Sequence, residues 1–471
     1  MASPLSLADV GPGLGGDGLW APHRRALTLG LVLTITFIAS EALAVVTVMP
    51  VVARDLHGLA LYGWVFSTFM LASLVGIVVA GRDADRHGPA RPYVAGLVLF
   101  ATGLVVAGLA PFMWVLVVGR LLQGLGAGAV PAVAYVAIGR SLPQGHRARM
   151  MAVLSTAWVV PGIVGPALAA AVSHLFGWRW VFLGLIPLVA LAGPMALPAL
   201  LRLGRPDGGR GDEHRVTDAI RAAAGAALVL AALGAREVVV GVVLALAGAL
   251  MGVAPLRRLL PSGTLHAARG LPATILSRGL LTFAFFGADA YVTLTITTVR
   301  HHSTIAAGGV VTASTLAWTA GSWVQARLND QWEGARLVRV GLCLILAGTA
   351  GMAWQLRPGV PLWEAYVAWF VAGLGMGLSY SPISLMMLRG APAGREGWAS
   401  SSLNLADVLG TALGVGAGGA AVATVSRGSG PIAAGVVVAF AVAAAAAVVN
   451  LFVVRRLPGT LTRAAEAPVT R

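Results

Sequence analysis

The chain is 471 residues long, 58% hydrophobic and 11% charged, where a soluble domain carries roughly 25% charged residues. This composition excludes a soluble enzyme, a disordered chain and a nucleic-acid-binding module, and it fits a chain solvated mainly by lipid. The net charge of +15 comes from 33 basic residues, every one an arginine, against 18 acids; because the arginines fall between long apolar runs, they read as membrane-orientation signals rather than as a nucleic-acid surface.

In chain order, residues 1–23 are glycine-rich and polar, with no Lys or Arg, and are expected to form a disordered cytoplasmic segment. They lack the basic start and short apolar core of a signal peptide, so the first apolar run is read as an uncleaved span. Fourteen apolar runs follow, at 27–50, 62–81, 92–110, 112–138, 150–173, 180–201, 219–235, 237–254, 273–298, 305–326, 337–355, 361–388, 397–424 and 432–454. A helix needs about 20 apolar residues to cross roughly 30 Å of hydrocarbon, and only a helix satisfies its own backbone there. Runs seven and eight are the shortest, about 17 residues each on either side of Arg236 and Glu237. They read as two spans or as a re-entrant hairpin, and the two-span reading is preferred.

With the first residues inside, 26 arginines fall in cytoplasmic segments, six in outer segments and one, Arg120, inside a span. Such a bias places both termini in the cytoplasm of a multi-pass protein of the inner, or cell, membrane. The single cysteine, Cys343, excludes a disulfide framework and a cysteine-based metal site. The nine histidines lie in loops or near run ends; no metal and no cofactor are expected.

An internal repeat runs through the chain. Gln123-Gly124-Leu125-Gly126-Ala127-Gly128 recurs as Ala372-Gly373-Leu374-Gly375-Met376-Gly377, an offset of 249, and Arg140, Pro143, Gly145 and Gly165 recur at the same offset as Arg389, Pro392, Gly394 and Gly414. Upstream, Phe37 to Ala42 aligns with Phe285 to Ala290, which places Glu41 opposite Asp289; Gly81 to Arg86 aligns with Ala326 to Gln331, which places Asp85 opposite Asp330. The expected organisation is a six-helix lobe at 24–203, a cytoplasmic loop and two linker helices at 204–269, a second six-helix lobe at 270–456 and a cytoplasmic tail at 457–471.

Three stretches carry a family resemblance. Gly81-Arg82-Asp83-Ala84-Asp85-Arg86-His87-Gly88 joins runs two and three, Arg120-Leu121-Leu122-Gln123-Gly124 lies in run four, and Pro161-Gly162-Ile163-Val164-Gly165-Pro166 lies in run five. With these the chain resembles the major facilitator superfamily, and in particular its 14-helix branch of drug:proton antiporters. The resemblance implies an all-α integral membrane fold: two six-helix lobes plus an inserted two-helix hairpin, 14 transmembrane helices in all. It makes Gly81, Asp85, Arg86 and Gly88, with Asp330 in the second half, a gating loop motif; glycine permits the tight turn, and Asp85 and Arg86 are suited to charge-assisted contacts at a helix end. It makes Pro161, Gly162, Gly165 and Pro166 an antiporter motif, where Gly and Pro kink the helix and allow close approach.

Charges at bilayer depth are costly and mark function. Glu41, Asp289, Asp407 and Arg120 qualify. At 1.5 Å per residue, Glu41 lies about 20 Å from the cytoplasmic face and Arg120 about 12 Å from the outer face, so the two levels agree to within ~2 Å and a pair is geometrically reasonable. A proton-coupled carrier needs a carboxylate whose proton affinity changes as hydration and partner distance change. Either Glu41 or Asp289 suits that role, with the other facing a cationic substrate; a structural ion pair, or for Asp407 a helix–helix hydrogen bond, is the alternative. Trp158 (aligned with Asp407 at offset 249), Tyr291, Gln123 and Asn404 are candidates for lining a substrate cavity.

The function expected from the resemblance is proton-coupled efflux of amphiphilic or cationic drug-like compounds by alternating access. The same fold also suits export of a lipid, a sugar or an endogenous metabolite. A chain without lysine cannot supply a phosphate-binding Gly-x-x-x-x-Gly-Lys-Ser/Thr loop, so a proton gradient is the expected energy source. The partners are then a small hydrophobic or cationic substrate, protons and the lipid bilayer, with no nucleic acid, and the protein acts as a monomer rather than as an enzyme.

Overall fold

An apolar run in lipid has no water to hydrogen-bond its peptide groups, so it closes them within itself as a helix. The architecture, a computed structural model, describes residues 25–141, 150, 157, 159–204, 213–328, 331–392, 395–428 and 430–458. The first group of helices is α1 (Arg25–Asp55), α2 (Tyr62–His87), α3 (Ala90–Gly108), α4 (Met113–Ser141), α5 (Val159–Phe176) and α6 (Ile186–Arg202). Next come α7 (Glu213–Leu233) and α8 (Val238–Leu259). The last group is α9 (Leu271–Leu294), α10 (Thr304–Leu328), α11 (Gly334–Trp354), α12 (Leu362–Gly390), α13 (Glu396–Arg427) and α14 (Ile432–Val453). Twelve helical stretches among the described residues are long and apolar enough to cross a membrane; Val160–Phe176 of α5 is apolar but shorter, and α10, rich in Thr, Ser and Gly, is not among the twelve.

The repeat seen in the sequence is a repeat of packing. In the first group, α4 lies against α2 and α3. Gly124 and Gly128 of α4 press on the backbone of Phe69 and Ser73 in α2, while Gly126 presses on Gly96 and Phe100 in α3. In the last group, α12 lies against α10 and α11 in the same way: Gly373 and Gly377 meet Ser314 and Trp318 of α10, and Gly375 meets Gly341 and Ile345 of α11. A side chain at any of these glycines would force the helices apart, which is why the same small residues recur at one offset.

The two groups meet along two seams, α2 on α13 and α5 on α10. On the first seam the backbones of Gly63 and Gly419 approach so closely that neither has room for a side chain. The hydroxyl of Tyr62 donates to Ala290 O at 2.9 Å, Ser67 Oγ to Ala412 O at 2.8 Å and Thr293 Oγ1 to Val46 O at 2.9 Å. These bonds run from mid-helix toward the turns at 56–61 and 300–303, the arginine-poor end of the bundle.

The α7–α8 hairpin packs along the first seam, α7 touching both α2 and α13. It is fastened to α13 at both ends: Ser402 Oγ donates to Leu259 O at 3.3 Å, and Arg427 Nη2 to Gly234 O at 2.7 Å.

Candidate functional site

Glu41 comes from α1, and Arg120 and Gln123 come from α4. Glu41 is 1% exposed and Arg120 2%, so neither charge is hydrated by bulk water. Arg120 Nη1 donates to Glu41 Oε1 and, at 2.9 Å, to Gln123 Oε1. Its Nε donates to Val65 O at 3.2 Å, and its guanidinium lies 4.1 Å above the Phe69 ring. The pair thus has the additional hydrogen bonds and cation–π contact without which two buried charges are a net cost. Among the described residues Glu41 Oε2 and Gln123 Nε2 have no hydrogen-bond partner, so one acceptor and one donor stand beside the pair.

The equivalent place in the second half is built without an ion pair. Asp289 of α9, opposite Glu41 in the repeat, accepts a 2.8 Å hydrogen bond on Oδ1 from the indole Nε1 of Trp369. Trp369 lies on α12 at the 249-residue offset from Arg120, so a neutral donor stands where the first half has a guanidinium. Phe285 stacks on Trp369 (centroids 5.4 Å apart, planes at 13°) and meets Trp318 edge-on, and Trp318 continues to Tyr380 at 5.4 Å. Phe285, Trp369, Trp318 and Tyr380 thus form one connected aromatic cluster, whereas Trp323 and Trp354 face outward.

Asp407 of α13 forms a third polar centre. The Tyr380 hydroxyl donates to its Oδ2 at 2.9 Å, and Thr282 Oγ1 donates to its backbone carbonyl at 3.0 Å. The guanidinium of Arg278 lies 3.4 Å over the Tyr380 ring, and its Nη2 donates to Ser384 Oγ. Arg278 Nε and Nη1 and Asp407 Oδ1 are buried without hydrogen-bond partners. Arg278, grouped with the cytoplasmic positives when arginines are counted by segment, is an interior residue of α9 at 1% exposure. The missing signal is non-local, because its partners lie on α12 and α13.

The other expected residues separate by location. Tyr291 is buried at the first seam, its hydroxyl donating to Val415 O at 2.5 Å and its ring 5.7 Å from Tyr62, so it fastens helices instead of lining a cavity. Gln123 faces Arg120, as above, and Asn404 is exposed on α13. Trp158 and Asp330 lie outside the described residues, as do the segments 1–23 and 459–471. In the loop motif, α2 ends at His87 and Gly88 adopts φ 87°, a left-handed conformation natural to glycine. Among the described residues Asp83 Oδ1 accepts from His87 Nδ1 at 2.7 Å, and Asp83 Oδ2 lies 3.6 Å from Arg91 Nε. Helical spacing puts residues 83 and 87 on one face, and Asp85 and Arg86 are exposed. Pro161, Gly162, Gly165 and Pro166 lie on α5. Gly162 abuts Thr315, and the carbonyl of Pro166 abuts Gly308, both of α10, so this motif forms part of the second seam; Gly165 faces Leu43 of α1.

Comparison with known proteins agrees with this architecture. The model of the Major Facilitator Superfamily matches residues 29–415. A probable multidrug-efflux transporter of Mycobacterium tuberculosis is 28% identical over 450 residues, covering 90% of this chain and 94% of that protein. An uncharacterized transporter of Escherichia coli is 27% identical, covering 86% of this chain and 90% of its own length. Among solved structures, an auto-inhibited peptide transporter of the POT family superimposes with a TM-score of 0.66 at 17% identity over 92% of this chain and 98% of the other. A D-xylose–proton symporter gives 0.65 at 12% identity over the same shares. The apolar helices, the duplicated packing and these matches establish that the chain is a multi-pass membrane protein belonging to the Major Facilitator Superfamily, a family of transporters and not of enzymes.

Proposed function

We propose that the protein exports amphiphilic or cationic drug-like compounds in exchange for protons, by alternating access between its two halves. The observation that carries this reading is the pair of buried acids at equivalent repeat positions, one held by a cation and the other by a neutral indole. Glu41 has its countercharge in Arg120, so it is the anchoring member. Asp289 is assigned the proton, since the partner it has among the described residues is neutral. The aromatic cluster that starts at Trp369 and ends at Tyr380 offers π faces to a cation beside Asp289 and Asp407. The multidrug-efflux relatives support the same substrate class.

In this reading all fourteen helices span the membrane, the hairpin included, and both termini lie in the cytoplasm of a monomer in the cell membrane. Closure at the arginine-poor end then corresponds to a state open toward the cytoplasm. Opening the opposite way requires the seam bonds of Tyr62, Ser67 and Thr293 to break.

The test is uptake of a cationic dye into inverted vesicles containing the full chain, with and without an imposed pH gradient, alongside a proton-sensitive dye. Gradient-driven dye movement with matching proton counterflow is expected in the native protein, together with loss of gradient dependence but retained dye counterflow in Asp289→Asn. Dye transport indifferent to the pH gradient removes proton coupling. Transport of sugars or lipids in place of cations moves the protein to the alternative export class.

A further inference from the structure

We propose that the outer groove between α7 and α8 binds the headgroup phosphate of an anionic phospholipid. The inference rests on these two helices lying within the bilayer, as their length and composition require of spans. Only 11% of the most apolar stretch of α8 is buried within the protein, and Leu250 is 82% exposed, so this helix faces lipid.

A cavity of about 370 Å³ opens on that lipid-facing side. Its wall is apolar, formed by Ala247, Leu250, Met251 and Ala254, and its polar lining is two guanidinium groups, those of Arg221 and Arg258. The antiparallel hairpin sets the register: Gly225 packs on Gly248 and Gly252, which brings Arg221 level with Ala254 and Asp218 level with Arg258. Asp218 is 5% exposed and accepts from Arg258 Nη1 at 3.2 Å. The Asp218 carboxylate is thus engaged by Arg258, and Arg221, about one helical turn along α7, lines the same groove. Arg221 makes no ion pair among the described residues.

Arg221 lies two residues past the start of the apolar run at 219, about 3 Å along the helix. An arginine at that edge of the lipid keeps its guanidinium at the interface, where it can pair with an anion. A phosphate between Arg221 and Arg258 meets this condition, because it stands at the interface while its acyl chains run along the apolar wall of α8. Both arginines lie at the arginine-rich end of the hairpin, the side on which basic groups and anionic headgroups attract one another.

The experiment uses the purified full-length protein and counts bound lipid by native mass spectrometry, with phosphatidylglycerol as probe and phosphatidylcholine as reference. The expected result is a retained phosphatidylglycerol whose affinity falls about fivefold in Arg221→Gln and in Arg258→Gln, the factor set by ~1 kcal/mol per arginine near a membrane surface. Arg257→Gln, next in sequence but outside the groove, is expected to leave the binding unchanged. An equal loss in Arg257→Gln, or equal retention of phosphatidylcholine, overturns the proposal in favour of diffuse charge. Displacement by millimolar inorganic phosphate or soluble glycerophosphoglycerol overturns the lipid as occupant and leaves a site for a free anion. Should Arg258→Gln fail to fold for want of a partner to Asp218, Arg221→Gln decides alone.

Discussion

The two halves of the molecule place an acid at the same point and neutralise it differently. In the first, Glu41 meets Arg120, with Gln123, Val65 and Phe69 completing the guanidinium's shell. In the second, Asp289 meets Trp369, which the repeat sets in the place of Arg120. Duplication preserved the backbone scaffold, including the glycines that seat α4 and α12, while the group facing the acid changed from a fixed cation to a neutral donor. A fixed ion pair suits an invariant pivot; an acid with a neutral partner is free to exchange its countercharge with solvent or cargo. The scaffold is thus common property of both halves, and the chemistry is specific to each.

The comparison breaks most sharply at Arg120. Arg120→Gln strands Glu41 as an uncompensated buried charge, and a destabilisation of about 3–5 kcal/mol is expected, read as a large fall in thermal midpoint of the detergent-solubilised protein. Adding Glu41→Gln to that variant should recover most of the loss; a double variant no better than the single one means the two groups are not energetically coupled. In the second half, Trp369→Phe keeps a ring for Phe285 to stack on but removes the donor to Asp289. A loss of about 2 kcal/mol, close to thirtyfold in gradient-driven dye transport, is expected, with Phe285→Leu as the control that perturbs only the stack. Inserting a methyl group at the matched glycines, Gly124→Ala and Gly373→Ala, should cost a similar ~1–3 kcal/mol each, because both press on a neighbouring backbone; strongly unequal melting shifts would show that the scaffold is not shared. The smallest effect belongs to the 81–91 turn. Asp83→Asn removes partly exposed pairs and is expected to change stability by no more than ~0.5 kcal/mol, so a large loss of transport without a melting shift assigns this loop to gating.

Most of the fold is legible in the sequence, because lipid leaves an apolar run a single regular structure and the arginines mark its ends. The run at 62–81 and helix α2, or 432–454 and α14, coincide to within a few residues at their starts. The pairing of Glu41 with Arg120 is also foreseeable, since depth is linear in residue number along two straight helices. What escapes is what depends on distant chain. Arg278 lies near the start of its run and so counts as a loop positive, although its neighbours Tyr380 and Ser384 come about a hundred residues later. Trp369 carries no charge and draws no attention as a partner for Asp289, yet the 249-residue offset applied to Arg120 points straight at it. Tyr291 misleads in the opposite sense: its closeness to Asp289 in sequence suggests a cavity, but a tyrosine two residues along a helix points elsewhere, here to the backbone of α13.

The two bonds that fasten the hairpin to α13, from Ser402 and from Arg427, have a mechanical consequence. Both anchors belong to the second half, while α7 also packs on α2, so the hairpin is hydrogen-bonded to one half and packed against both. In the alternating-access reading proposed above, the bonds to α13 group the hairpin with the second half, eight helices against six, and tilting between the two would displace more acyl chain on one flank than on the other. On that reading, the viscosity of the surrounding membrane would load the wider partner more than the narrower one.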